Sequence, residues 1–563
     1  MIKKIGVINK IYRHSSRYYE ILEVMTSHGF AEIISKLKLN NYINLGKKLV
    51  FRQQEVKTEE YSIYERIRMI LEKLGPTFIK LGQVMSSRSD LIPVEMIREL
   101  EKLHDSVEPF SSEEAKKQIE YELNGTIEEL FSEFNMVPLA GASISQVHKA
   151  VLFDGTDVVV KVQRPDITEK IDVDLEIMLH FATIAEKQSE DMRSLNLVSI
   201  VQEFAKEIKK ELDFSNEMRN IEKFSHNFQK DQKVYVPKYY DALSSKKILT
   251  LEYIEGIKVS DITKLNEKGL SPKVIADNGV DAILKQIFEH GFFHADPHAG
   301  NIFIMDNNVI SFIDFGMMGV LSEDIREAFE SIIIGIANED TRKVALSLIE
   351  LSIGDEEIDV VQVEMKVKEM LDKHFYRSLK NLDLTAVTND MFALFTENKL
   401  KISPDFHLLA RAVMLAQSFG NNLDPDFDIS SHIKRYTKKI IQSRLKPKRL
   451  AKKLSGFGNE FWDLAINFPG DAHYIIKKIK QGKFKVDIEH KGLEDMMTTH
   501  ERISNRISFS ITLASIVIGS SLIIRSEIPP IVYGVPLIGL LGFLGAVILG
   551  FWLLISIMKH GKM

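Results

Sequence analysis

Near the carboxyl terminus the chain runs from Ile507 to Ile524 without a charged residue, and from Ile531 to Met558 it does so again over a longer stretch. A helix crosses a bilayer core with about 20 apolar residues, and both runs reach that length. Soluble helices seldom continue so far without a charge, although two helices buried in a soluble core are the alternative. The break between the runs, Arg525-Ser526-Glu527-Ile528-Pro529-Pro530, is short and polar. Arg502 and Arg506 precede the first run, while Lys559, His560 and Lys562 follow the second. Basic residues at both outer ends predict a two-span, multi-pass helical hairpin with its termini and the remaining domains in the cytoplasm. Gly542, Ala546 and Gly550 place small residues on one helix face. Close helix packing uses such residues, and membrane helices commonly carry them.

The rest of the 563 residues exceeds one compact core and implies two or more domains. A net charge of -6 argues against nucleic acid as a partner. The absence of cysteine excludes disulfides, thiolate metal sites and a cysteine nucleophile, and fits a reducing compartment. Met1 to Ser15 is basic but is followed by no long apolar run, so a secretory signal is not expected.

Residues 1–130 read as helical. Tyr64 to Leu74 has apolar residues at helical spacing up to Gly75-Pro76, and a second helix is expected over Pro93 to His104. Near residue 138 the pattern changes. Val147 to Leu152, the turn Asp154-Gly155 and Val158 to Val162 predict a hairpin of β-branched strands. Helices are expected over roughly 167–190 and 196–228, a strand over Ile248 to Tyr253, and a helix over Val274 to His290. A second hairpin, Ile302 to Met305 and Ile310 to Ile313, turns at Asp306-Asn307-Asn308, and helices follow from Ser322 to about Leu423. The expected class is therefore α+β with a two-lobed catalytic domain. It comprises a helical extension (1–130), an N-lobe (131–260) and a C-lobe (261–430), ahead of a basic juxtamembrane region (431–505) and two transmembrane helices (506–558). The basic region runs from Lys434, Arg435, Lys438 and Lys439 through Arg444 to Lys485. It suits either a solvated face or contact with anionic lipid.

The chemistry is carried by residues far apart in sequence. In His294-Ala295-Asp296-Pro297-His298-Ala299-Gly300-Asn301 an Asn follows an Asp by five positions, as in kinase catalytic loops. The Asp orients the proton of an attacking hydroxyl, and the Asn offers a neutral oxygen to a hard cation. Asp314-Phe315-Gly316 follows the small hairpin, which returns Asp314 beside Asn301, where a carboxylate suits Mg²⁺. Val158-Val159-Val160-Lys161 resembles the strand lysine that meets nucleotide phosphates. A lysine on an apolar strand needs a partner, and Glu217 is the candidate. The rival reading makes His294 and His298, at i and i+4, metal ligands of a hydroxylase. Pro297 and Gly300 argue against the regular helix this needs.

With two further motifs, these residues resemble the AarF/UbiB family of atypical kinase-like proteins. One motif is Lys80-Leu81-Gly82-Gln83, and the other is Glu211-Leu212-Asp213-Phe214-Ser215-Asn216-Glu217. The resemblance implies a protein-kinase-like fold, ATP or ADP with Mg²⁺, and a link to isoprenoid-lipid or quinone metabolism, acting alone, as a homodimer or in a biosynthetic complex. It implies that Lys80, Gly82, Gln83, Glu211 and Asp213 gate the site. It also implies that Ala140, Gly141, Ala142, Ser143, Glu252 and Ile254 line the nucleotide site beside Lys161. Two positions depart from the family pattern: Gly141 lies within the usual alanine set, and Ser145 replaces a glycine. The expected activity is that of a membrane-anchored kinase or ATPase, the alternative being a non-catalytic nucleotide-sensing scaffold.

Overall fold

The computed structural model describes residues 16–36, 61–86, 88, 91–103, 109–188, 192–193, 195–353, 359–375, 383–398, 400–444, 480, 493–526, 528–532 and 534–560. The chain divides into two units, Met1–Leu450 and Ala451–Met563. The basic stretch expected between Lys446 and Lys485 lies outside the described residues, apart from Lys480.

In the first unit the strands Glu133–Phe134, Ser145–Val151, Asp157–Gln163 and Ile248–Glu252 form an antiparallel sheet, with Ala140–Gly141 also paired to Ser145–Val151. Strand side chains alternate between faces. Val158, Val160 and Val162 are wholly buried in one core with Ala115 and Ile119 of the helix Ser112–Leu123. Val159 and Lys161 therefore point the other way, toward the main core, where Val159 packs. This alternation turns Lys161 into the cleft.

Three helical expectations change in detail. Pro93 caps the helix Val94–Leu100 from outside rather than opening it. The helix expected over 196–228 breaks into Leu197–Glu211 and Phe214–Phe228 because Asp213 takes a non-helical conformation and accepts a hydrogen bond from Ser215 N–H at 3.0 Å. An aspartate N-cap of this kind satisfies an otherwise orphaned amide. The helix expected over 274–290 ends as Pro272–Lys285 and a π turn, Gln286–His290.

The small hairpin forms from Ile302–Met305 and Val309–Phe312, one residue earlier in its second strand than expected. Asn307 and Asn308 both take φ 60°, and asparagine tolerates this left-handed turn. Val234–Tyr235 and Ile257–Lys258 extend it to four strands. A pairing absent from the sequence reading joins Phe292–His294 to Met318–Val320, one strand just before the catalytic-loop motif and one just after Asp-Phe-Gly. Gly319 permits it, since a Cβ there would lie 2.3 Å from the Phe293 ring.

One expected boundary lies after residue 430. It falls inside the helix Ile429–Arg444, whose Tyr436 is buried against the ring of Phe288. Several of the basic residues there are used within the fold. Arg435 pairs with Asp281, Lys439 with Glu289 at 3.0 Å and Arg444 with Glu330 at 3.2 Å.

The second unit holds the helices Leu493–Arg525 and Leu537–His560. Within the first, Ile503–Arg525 is long and apolar enough to cross a membrane, and is the one such helix among the described residues. The second apolar run enters its helix at Leu537, six residues after the run begins, and Leu537–Leu553 of that helix is apolar. The start of the run is taken by a turn in which Ile531–Val532 pairs with Val535–Pro536. Small residues line the seam between the helices: a Cβ on Gly542 would fall 2.3 Å from Ser520 Oγ, and Ala546 is buried. Gly539, unremarked in the sequence, belongs to the same seam, against Ile524 and Ser520.

Candidate active site

Lys161 gives hydrogen bonds to both carboxylate oxygens of Glu217, at 3.1 and 2.9 Å, and stands 3.9 Å from Asp314 Oδ1. Its charge also lies 5.3 Å from the ring centre of Phe214. Burial disfavours the ammonium, but the Glu217 and Asp314 carboxylates outweigh it and raise its pKa. Burial pushes the Glu217 carboxyl up against the opposing pull of Lys161. Glu217 also accepts from Phe315 N–H at 3.4 Å, and Asn220 on the same helix gives a bond to Phe315 O at 2.8 Å. One helix thus holds the lysine and the Asp-Phe-Gly backbone together. The Phe315 ring is fully buried and meets Phe224 edge-on.

Asp314 opens partly to the cleft, with Oδ1 accepting from Gly316 N–H at 2.9 Å. Desolvation opposes its charge, yet Lys161 and the Gly316 amide hold it well below the usual carboxylate range. Asn301 is tied to the adjoining residue, its backbone oxygen accepting from Ile313 N–H at 3.1 Å. The hairpin therefore brings Asn301 and Asp314 to neighbouring positions.

His294 is the link between the catalytic loop and Asp314. Its Nε2–H donates to Asp314 O at 2.6 Å, and its Nδ1 accepts from Asp296 N–H at 3.1 Å. This arrangement requires the neutral ring. Burial lowers its pKa in the same sense. Gln286, in the π turn beneath, accepts from His294 N–H at 2.8 Å. His298 Nδ1 accepts from Gly300 N–H at 3.0 Å. Both ring nitrogens of His294 are thus spent on the backbone, and no group of three or more His, Asp or Glu among the described residues could hold a metal ion. The two-histidine hydroxylase reading finds no support in this geometry.

The extension lies across the same region. Lys80 pairs with Glu211 at 2.7 Å, and Gln83 gives a bond to Leu103 O at 3.3 Å. Gly82 faces Leu71 and Leu103, where a Cβ would fall 2.3 Å from Leu103, so it serves close helix packing. The helix Pro76–Ser86 that carries them is anchored by the fully buried Asp174. Asp174 accepts from Arg17 at 2.7 Å and from Thr77 Oγ1 at 2.6 Å. Asp213 serves as the cap described above.

The loop Ala140–Ser143 is held on the N-lobe by Arg164, which donates to Ala142 O at 3.3 and 3.2 Å. Ser145 is fully buried. Ile254 is buried. The Glu252 carboxylate is turned onto Tyr235 Oη at 2.8 Å and Lys238 N–H at 3.1 Å, so its side chain is already engaged. Burial and this carboxylate push the Tyr235 phenol up to about 12.

The sequence reading missed Arg411, whose Nη2–H donates to Asp296 Oδ1 at 2.9 Å. A signal existed: Arg411 is the lone charge between His407 and Gln417 in the run Leu408-Leu409-Ala410-Arg411-Ala412-Val413-Met414-Leu415.

Three family descriptions match the chain. The ABC1 atypical kinase-like domain covers residues 102–348, the UbiB helical domain 367–428 and the ABC1/UbiB kinase-like C-terminal domain 491–559. The chain is 32% identical to the Probable protein kinase UbiB of Actinobacillus pleuropneumoniae, over 86% of this chain and 90% of that one. The chain belongs to the ABC1/UbiB family. An uncharacterized protein from the hydrogenase 1 5' region of Clostridium pasteurianum is 31% identical over 99% of this chain and 100% of its own length. An uncharacterized Synechocystis protein is 36% identical over 67% of this chain and 65% of that one. Arg411 lies within the UbiB helical domain, so in this ABC1/UbiB chain that domain contributes a side chain to the loop that carries Asp296.

Proposed function

We propose that the chain is a membrane-anchored Mg²⁺-nucleotide enzyme, a phosphotransferase or ATPase acting on or beside isoprenoid-lipid or quinone synthesis. The observation that carries the reading is the contact chain Lys161–Glu217–Phe315, with Asp314 3.9 Å from the same lysine. Lys161 would bind the inner phosphates, Glu217 would orient it and Asp296 would hold the attacking oxygen. Asn301 and Asp314 offer hard oxygen donors at neighbouring positions, which suits Mg²⁺. When bound, the ion would neutralise phosphate charge. The quinone link rests on family membership and on relatives named Probable protein kinase UbiB. The two apolar helices would cross the bilayer as a hairpin with the catalytic body in the cytoplasm, their small-residue seam supporting close packing.

The test is thermal stabilisation of the detergent-solubilised chain by Mg-ATP. Asp314→Asn should abolish it. Asp296→Asn should keep it while losing phosphate release measured with membrane lipid present. Full stabilisation of Asp314→Asn would overturn the site. Binding without any release by the unaltered chain would favour the scaffold reading.

A further inference from the structure

Arg411 reaches Asp296 from a helix packed tightly into the core. On Pro404–Leu423, Leu409 and Ala412 are wholly buried, and the His407 ring stacks on Phe392 at 4.7 Å. Phe419 lies so close to the helix Pro272–Lys285 that a Cβ on Gly279 would fall 2.1 Å from its ring. The guanidinium is thus held against the catalytic carboxylate across 115 residues of sequence. Their side chains are 24% and 23% exposed, at the rim of the cleft.

An ion pair in this place has an electrostatic consequence. If Asp296 holds the attacking oxygen, the last phosphate of a nucleoside triphosphate must come next to it. A carboxylate and a phosphate repel, the more so in a site partly shielded from water. The other positive charges at hand are committed, Lys161 to Glu217 and Asp314 and Lys80 to Glu211. His294, on the same loop, offers no charge: its Nε2–H is given to Asp314 O and its Nδ1 accepts from Asp296 N–H. A guanidinium has five N–H donors, so holding one carboxylate oxygen does not exhaust it.

We propose that Arg411 screens Asp296 against the terminal phosphate and so governs how well the site takes Mg-ATP relative to Mg-ADP, an inference that rests on the nucleotide reading above. The test is titration of Mg-ATP and of Mg-ADP into the full-length solubilised chain and its variants. Arg411→Gln should weaken Mg-ATP about tenfold and Mg-ADP by less than about threefold. Arg411→Lys should retain most of the Mg-ATP affinity. Adding Asp296→Asn to Arg411→Gln should restore Mg-ATP binding, because the uncompensated charge is gone. Asp296→Asn alone leaves the guanidinium without its counter-charge, so it should tighten Mg-ATP more than Mg-ADP. That variant decides the matter should Arg411→Gln fail to fold. Equal losses for both nucleotides, no recovery in the double variant, or no selective tightening in Asp296→Asn would each overturn the proposal while leaving the nucleotide site standing. A chain that binds neither nucleotide would overturn both.

Discussion

Two ion pairs face each other in role across the cleft, and they are built differently. Lys161–Glu217 has side chains 19% and 5% exposed, and its carboxylate also holds a backbone amide. Arg411–Asp296 sits at the rim with both partners about a quarter exposed. Breaking a buried pair strands a charge in a poorly solvated place, whereas a rim charge recovers its water. The first pair therefore belongs to the architecture of the lobes, while the second is open to solvent at their mouth.

The sharpest way to break this contrast is Glu217→Ala. It leaves the Lys161 ammonium without its carboxylate and should cost about 3–5 kcal/mol in urea unfolding. Arg411→Gln should cost under about 1 kcal/mol in the same measurement. Equal costs would erase the distinction. Asp213→Ala removes the cap that starts the helix carrying Glu217 and should cost about 1 kcal/mol. Lys80→Gln breaks a pair in which the lysine is buried and Glu211 is only partly exposed, and should cost about 1 kcal/mol. If the extension gates the site, the same substitution should measurably speed release of a fluorescent nucleotide.

The smallest effect concerns pH. Buried His148 donates from Nδ1 to Asn135 O and accepts at Nε2 from Gln146, and burial lowers its pKa. The unfolded chain, with an ordinary histidine pKa of about 6.5, then takes up the proton first. This contribution to stability is complete above that pH and falls as pH drops below it. His148→Gln should make the unfolding midpoint less sensitive between pH 7 and pH 5.

The grouping of Lys161, Glu217 and Asp314 was legible because each motif is a short local pattern. Alternating valines set the direction of Lys161, and the hairpin between Asn301 and Asp314 is written in β-branched residues and asparagines. What escaped was long-range or competed with periodicity. Apolar spacing continues through Leu212, so only the Asp213 cap reveals the break there. The pairing of Phe292–His294 with Met318–Val320 joins segments too short to carry a strand signal. The helix Ile429–Arg444 looked like a basic tail because its acidic partners, Asp281, Glu289 and Glu330, lie more than a hundred residues upstream.

That strand pairing has a bearing on chemical targeting. The arms that carry Asp296 and Asp314 are stitched together on either side of Phe315, whose ring is enclosed by aromatic neighbours. Small molecules that work by prising such a phenylalanine out of its seat would have to unstitch the arms as well. Compounds selected against this chain should therefore be those that accept the closed arrangement and compete for the phosphate end of the cleft.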